Sequence, residues 1–275
     1  PPPAPRSRSH LAAAVLGGVL YVVGGRDGHI FFASTECFVP ERREWASLEP
    51  LSAPRASLAA AAVGGTLYAM GGWNGREHLA IVESFQPSEG GGSWRPCAAM
   101  PTARSGLAAA GGLGSGIYAV GGEGGPSPLQ TLERYNPAAG TWAAQTPMPT
   151  ARTCLAATLL GAGLLVVGGF DGKRALPTVE RFDLREGTWS SIGEDLPTAR
   201  HGLTVVAHGG SIYVLGGKDS SFAALAIVER FDVATGTWST SAALPTARGY
   251  LAAGVLVDCH DYAGPCNSCT SCFTS

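Results

Sequence analysis

Short apolar runs, each closed by a pair of glycines and followed by a polar loop, recur along the chain. The pairs stand at Gly24-Gly25, Gly71-Gly72, Gly121-Gly122, Gly168-Gly169 and Gly216-Gly217, 47 to 50 residues apart. A small-residue run precedes each, as in residues 58–63, then a glycine turn, then the run that ends in the pair, here residues 66–70. Runs this short, bounded by turn residues, read as paired strands. After a variable loop, Ile81-Val82-Glu83-Ser84-Phe85 supplies a third strand, and a Pro or Asp turn leads to a fourth around a tryptophan. The pattern predicts an all-β chain with four strands per repeat.

Other residues keep the same beat. Trp45, Trp94, Trp142, Trp189 and Trp238 each lie 20 to 22 residues beyond the second glycine. Glu36, Glu83, Glu133, Glu180 and Glu229 stand 11 or 12 after it, each with an aromatic two later at Phe38, Phe85, Tyr135, Phe182 and Phe231. An arginine opens each unit at Arg8, Arg55, Arg104, Arg152, Arg200 and Arg248. A four-stranded unit of this size cannot bury both faces alone, so copies must stack, most economically around an axis. The small first strand suits the crowded innermost place, the glycine pair a close backbone approach, and the tryptophan the widening outer gap.

Residues 153–170, uncharged and apolar, are just long enough to raise a membrane span. The repeat dismisses it, because Gly161-Ala162-Gly163 falls where every other unit turns a hairpin. Across the 275 residues, 39 are glycine, 15% are charged, 45% are hydrophobic and the net charge is -2. That excludes a charged disordered tail or coiled coil and gives no pull toward nucleic acid or anionic membrane.

The combination of Gly-Gly, the glutamate with its aromatic, Gly140-Thr141-Trp142 and Met-Pro-Thr-Ala-Arg at residues 100–104 and 148–152 resembles the kelch repeat family, over about 250 residues. A WD40 propeller is disfavoured by the longer period and by the absence of Trp-Asp at the five repeating tryptophans. The resemblance implies a kelch β-propeller over residues 1–257, with repeats at about 8–54, 55–103, 104–151, 152–199 and 200–247. Residues 248–257 supply the first strand of a sixth blade, leaving either a tightened ring or an open arc with exposed edges. Gly25-Arg26-Asp27-Gly28 and Phe170-Asp171-Gly172-Lys173 look most like loops of Kelch-like substrate adaptors of cullin-type ubiquitin ligases. Those adaptors carry BTB and BACK domains, which this chain lacks, and its proline-rich start without methionine reads as an excised chain.

Residues 258–275 form an irregular cysteine-rich tail, for which disorder is the expectation. Cys266, Cys269 and Cys272, near Cys259 and His260, have only part of a metal-ligand pattern, so no metal site is assigned. Cys37, Cys97 and Cys154 fall at non-equivalent repeat positions, suggest no disulfide framework and read as small apolar residues in a reducing, cytoplasmic setting. The six histidines are scattered in phase, Ser115 stands one residue late for a nucleophile elbow, and no Gly-Lys-Ser or Gly-Lys-Thr closes a phosphate loop. The expectation is no enzyme and no cofactor. The alternative is a propeller enzyme of the galactose-oxidase-like or sugar-modifying kind.

A position repeated in every blade serves the fold, and one that varies is free to specify a partner. The recurring arginines and glutamates read either as a ladder of ion pairs and backbone hydrogen bonds at blade junctions or as a ring of cations at one channel mouth. The resemblance implies the second use, in which Arg55, Arg104, Arg152 and Arg200, with Ser9, Ser105 and Thr153, contact an acidic peptide. Arg26, Trp73, Glu123, Phe170 and Lys218 share one phase after the glycine pair and differ in chemistry. The partner sites are therefore Arg26, Arg55, Trp73, Arg104, Ser105, Arg152, Thr153, Phe170, Arg200 and Lys218, for a protein or peptide of acidic character. A cullin-type ligase would attach through segments outside this chain.

Overall fold

The computed structural model describes residues 2–88, 91–112 and 116–256. Ser115 and the cysteine-rich tail lie outside the described residues. Five antiparallel four-stranded sheets follow one another as blades. Blade one is Ala12–Leu16, Val19–Val23, Thr35–Val39 and Glu44–Leu48; blade two is Ala59–Val63, Thr66–Met70, Val82–Gln86 and Ser93–Pro96. Blade three is Ala108–Gly112, Gly116–Val120, Leu132–Asn136 and Thr141–Ala144. Blade four is Ala156–Leu160, Gly163–Val167, Val179–Asp183 and Trp189–Ser191, and blade five is Thr204–His208, Ser211–Leu215, Val228–Asp232 and Thr237–Thr240. The apolar stretch at 153–170 is thus a hairpin, and among the described residues no helix is long and apolar enough to cross a membrane.

The first strands line a central channel, a cavity of about 170 Å³ walled by small residues such as Ala12, Ala59, Ala108 and Ala156. Residues 250–253 line it too, so the 248–256 segment takes the inner place of a sixth blade. The ring closes through backbone. Ser57 N–H donates to His10 C=O (2.8 Å), Gly106 to Ser57 (2.8 Å), Cys154 to Gly106 (2.7 Å), Gly202 to Cys154 (2.7 Å), Tyr250 to Gly202 (2.6 Å) and His10 to Tyr250 (3.0 Å). All six residues are left-handed, with φ between 52° and 61°. The sequence left a tightened ring or an open arc; the structure instead closes the inner layer around six positions, with residues 248–256 in the sixth.

The core sits between blades rather than within them. Tyr21 and Val23 of blade one pack against Leu67, Ala69 and Phe85 of blade two, and the same arrangement recurs at each later junction. Within a blade, the aromatic after the glutamate faces the tryptophan across the outer strand pair, as in Phe85↔Trp94 and Tyr135↔Trp142. Their ring centroids lie 5.3 and 5.0 Å apart. Each indole N–H then reaches back to the preceding blade, from Trp142 to Ala98 C=O at 2.9 Å and from Trp189 to Thr146 C=O at 2.8 Å.

The glycine pair marks where one blade meets the next. The second glycine donates its N–H to the carbonyl of the following blade's arginine, Gly25 to Arg55 and Gly72 to Arg104, both at 2.9 Å. A Cβ on the first glycine would stand 2.6 Å from that same carbonyl oxygen at Gly24 and Gly71, closer than any side chain tolerates.

The recurring arginines are the ladder and not the mouth. Arg55, Arg104, Arg152 and Arg200 have no exposed surface, and their guanidiniums pair with Glu83, Glu133, Glu180 and Glu229 of the same blade at 2.8, 2.6, 2.9 and 2.7 Å. Arg8 pairs likewise with Glu36. Arg104 also donates from Nη1 to Gly121 and Thr131 C=O and from Nη2 to Ala119 C=O, each at 3.3 Å, tying the junction to the second strand. Burial pulls all four guanidiniums below their ordinary pKa range, with the paired glutamates opposing it. The placement of these arginines at a partner surface is therefore corrected: a guanidinium enclosed with its counter-ion has no face left for a ligand. Removing one partner of such a pair strands the other charge, at a cost of about 3–5 kcal/mol. Arg104→Ala is accordingly expected to lower the thermal midpoint by about 10 °C in calorimetry, rather than leave stability intact.

Candidate partner-binding mouth

The variable positions are gathered by the same frame. Each residue after a glycine pair forms a two-hydrogen-bond bridge with the residue after its blade's arginine: Arg26 with Ser9, Trp73 with Ala56, Glu123 with Ser105, Phe170 with Thr153 and Lys218 with His201. The N–H···O distances in these bridges run from 2.8 to 3.0 Å. The arginine junctions and the post-glycine loops therefore share one face, through backbone pairing that leaves every side chain free to vary.

Beyond the bridges, Asx turns fix the loop tips. Asp171 Oδ1 accepts from Lys173 and Arg174 N–H at 2.8 Å each, and Asn74 Oδ1 accepts from Arg76 and Glu77 at 2.9 and 3.0 Å. Asp219 Oδ1 does the same for Ser221 and Ala223, which carries Phe222 outward with more than half its surface exposed.

A cavity of about 380 Å³ opens at this mouth, lined in part by Arg26, Trp73, Ser105, Glu123 and Tyr250. Trp73 is half-buried and lies 4.7 Å from the His78 ring, and His78 Nδ1 is 3.1 Å from Ser105 Oγ. Ser105 and Thr153 are themselves buried, so they floor the site rather than rim it. Phe170 stands on the opposite flank, in a cluster with His201 at 5.3 Å and Phe222 at 5.7 Å. Lys218 Nζ lies 5.6 Å above the Tyr250 ring, whose other neighbour, His10, stacks at 3.8 Å.

Of the ten residues singled out from the sequence, the structure gathers Arg26, Trp73, Phe170 and Lys218 at the mouth over Ser105 and Thr153, and places Arg55, Arg104, Arg152 and Arg200 in the blade interior. His10, Phe222 and Tyr250 also stand at the mouth, over a buried His201, and none of the four was singled out. His10 and His201 have the junction phase of Ser9, Ser105 and Thr153 or its neighbour, so the repeat contained their signal. Tyr250 joins His10 only because the two ends of the ring meet.

The electrostatics are uneven around the mouth. Arg26 and Lys218 belong to blades one and five, on either side of the sixth position, whereas Glu123 belongs to blade three across the ring. Burial, helped by Arg26 and Lys218, lowers the His10 pKa to about 4, and burial with Lys218 lowers that of His201, Asp219 opposing. Burial pushes the Cys154 thiol up to about 11, so it stays protonated and unreactive.

Fold and mouth together define a β-propeller with a constant frame and a variable loop face. Residues 57–259 match the KLHDC2/KLHL20/DRC7 Kelch-repeats domain, and residues 7–52 match the Kelch motif. The chain belongs to the kelch-repeat family, whose propellers are generally protein-interaction modules.

Imidazoles held neutral in the fold bind protons only on unfolding below about pH 6.5, so their stabilising contribution is full above that value and is lost as pH falls toward 4. The thermal midpoint is expected to drop between pH 7 and pH 5, and His10→Asn, which tolerates the left-handed backbone, to flatten that drop in scanning calorimetry.

Proposed function

We propose that the propeller captures a protein or peptide segment at this mouth, with Trp73 and Phe170 as apolar anchors and Arg26 and Lys218 receiving its acidic part. The observation that carries this reading is that one frame, repeated five times, puts the residues that differ between blades at one bridge position, where Arg26, Trp73 and Glu123 line a cavity. Aromatic and arginine side chains at the centre of a rigid, concave patch are the side chains that dominate partner affinity. With the buried arginines unavailable, Arg26 and Lys218, at the bridges themselves, are the cations proposed to meet an acidic ligand. Glu123 across the ring disfavours a uniformly acidic one and favours a segment whose charge changes sign along its length.

The likeness of the Arg26 and Phe170 loops to those of Kelch-like adaptors supports a further step, in which the captured protein is presented to a cullin-type ubiquitin ligase. Among the described residues Cys37, Cys97 and Cys154 form no disulfide, which accords with a cytoplasmic setting.

Selection of a displayed peptide library on the immobilised protein tests the site. Captured peptides are expected to lose at least about tenfold in affinity with Trp73→Ala or with Arg26→Ala plus Lys218→Ala, while the thermal midpoint moves by no more than about 2 °C. Peptides that bind these variants as tightly as the parent protein would move the site off the mouth.

A further inference from the structure

Four of the five post-glycine loops are built to one length. The residue at the bridge pairs again five positions on, Arg26 with Phe31, Trp73 with His78, Glu123 with Pro128 and Phe170 with Ala175. In blade five Lys218 pairs with Ala224, six positions on, so this loop holds one residue more. Phe222 stands in the lengthened turn with φ at 66°, a left-handed backbone that an aromatic residue rarely takes. The loops of blades two and four have glycine where they turn left-handed, at Gly75 and Gly172. The turn around Phe222 is nevertheless fixed. Phe222 N–H donates to Asp219 C=O at 3.0 Å, Asp219 N–H donates to Ala223 C=O at 3.1 Å, and Ser220 Oγ accepts from Ala175 N–H of the blade-four loop at 3.1 Å. What is free to move is the side chain.

That side chain covers a polar group. The Phe222 ring lies 5.2 Å from the His201 ring, edge-on, and 5.7 Å from Phe170, while 54% of its own surface faces solvent. His201 is 1% exposed, and among the described residues its buried Nε2 has no hydrogen-bond partner. Its Nδ1 lies 3.5 Å from Tyr250 Oη. Burial pushes the Tyr250 hydroxyl pKa up, so the hydroxyl keeps its proton, which assigns Nδ1 as the acceptor and the ring proton to Nε2. Burial and Lys218 hold the imidazole neutral, Asp219 opposing. Lys218 itself is joined to His201 by the two backbone hydrogen bonds of the bridge. The corner therefore contains a buried N–H without an acceptor, an ammonium beside it, and an aromatic in a strained conformation on top. A donor left without an acceptor and a left-handed aromatic both oppose folding, and strain of this kind persists where it serves a function.

We propose that Phe222 is a cover on a concealed corner of the mouth: its ring swings out as a ligand enters, and an acidic side chain of the captured segment replaces it, with its carboxylate on His201 Nε2 and Lys218 Nζ and its methylene stem on Phe170. The inference rests on the mouth as the capture site and adds how that site is regulated. Charge complementarity picks the occupant, because a neutral N–H donor beside an ammonium is met by a carboxylate better than by any neutral acceptor. Only the uncovered fraction of the protein binds, so the closed ring lowers the apparent affinity by that fraction. Removing the ring therefore tightens binding, whereas a Phe222 that served as an anchor would do the opposite.

The probe is 3-phenylpropionate, an apolar stem ending in a carboxylate, titrated into the full chain and followed by NMR of the histidine rings. Phe222→Gly suits the left-handed backbone and keeps the loop, and it is expected to tighten the probe at least about fivefold. The neutral analogue 3-phenylpropionamide is expected to bind at least about tenfold more weakly than the carboxylate. Without any ligand, diethyl pyrocarbonate is expected to modify His201 of the parent at least about tenfold more slowly than the exposed His208, and Phe222→Gly to remove most of that difference, read by mass spectrometry. Probe binding that Phe222→Gly weakens, leaves unchanged or fails to reveal overturns the cover. Equal binding of the amide overturns the carboxylate, and a parent His201 as reactive as His208 overturns the concealment. Peptides captured from the display library are expected to keep their affinity when their C-terminus is amidated; losing it overturns the assignment to a side chain. Library peptides indifferent to Trp73→Ala refute the capture site itself, whereas peptides that need Trp73 and bind Phe222→Gly no more tightly than the parent refute the cover alone.

Discussion

A guanidinium removed from water must be met by charge and by oxygen, and this constraint is imposed at every blade junction. The arginine satisfies it inside its own blade, through the glutamate of the third strand and carbonyls of the second. Its own carbonyl meanwhile accepts the glycine N–H of the preceding blade. One residue thus fastens a blade internally and to its neighbour. The glycine pair and the glutamate are the groups this arrangement requires, which is why both repeat in every complete blade, and in blades three to five a threonine adds a bond to the glutamate. A pair of this kind is weak as a source of net stability and costly to break, so it acts chiefly to hold one register.

With the junctions held this way, stability and recognition reside in different residues. The bridges that carry Arg26, Trp73, Glu123, Phe170 and Lys218 are made by backbone, so these side chains can change without disturbing the frame. Preorganisation follows, because loop tips closed by Asx turns lose little freedom when a ligand arrives. The mouth is not wholly separate from the fold, however. His10 and Tyr250 stack at the ring's closure and also belong to the rim. Acidification that charges His10 therefore acts on closure and on the binding face at once.

Closure itself rests on little material. Among the described residues the sixth position contributes one segment, two links in the hydrogen-bonded ring and a few contacts such as Gly254 near Val15 and Leu20. Among the described residues only the inner layer is present there. A ring of backbone hydrogen bonds needs only the innermost strand of each unit.

Much of this was legible in the chain alone. The all-β class, four strands per unit, five full repeats with a sixth begun, and the steric role of the glycine pairs all follow from residues that return at a fixed period. Each depends on side-chain type, or on the lack of a side chain, at a defined position. The division between repeated and variable positions also picked out Arg26, Trp73, Phe170 and Lys218, which the structure holds at equivalent backbone bridges. The use of the arginines was not legible, because an arginine repeated in phase has the same letters whether it points into a blade or toward a ligand; only packing around Glu83, Glu133, Glu180 and Glu229 decides it. Nor was the left-handed ring at His10, Ser57, Gly106, Cys154, Gly202 and Tyr250, since a bond between backbone groups leaves no mark on side-chain identity. Sequence alone determined the repeating unit, because its constraints are local and periodic. The tertiary structure decided what meets at the axis and at the closure, because those contacts join residues as distant as His10 and Tyr250.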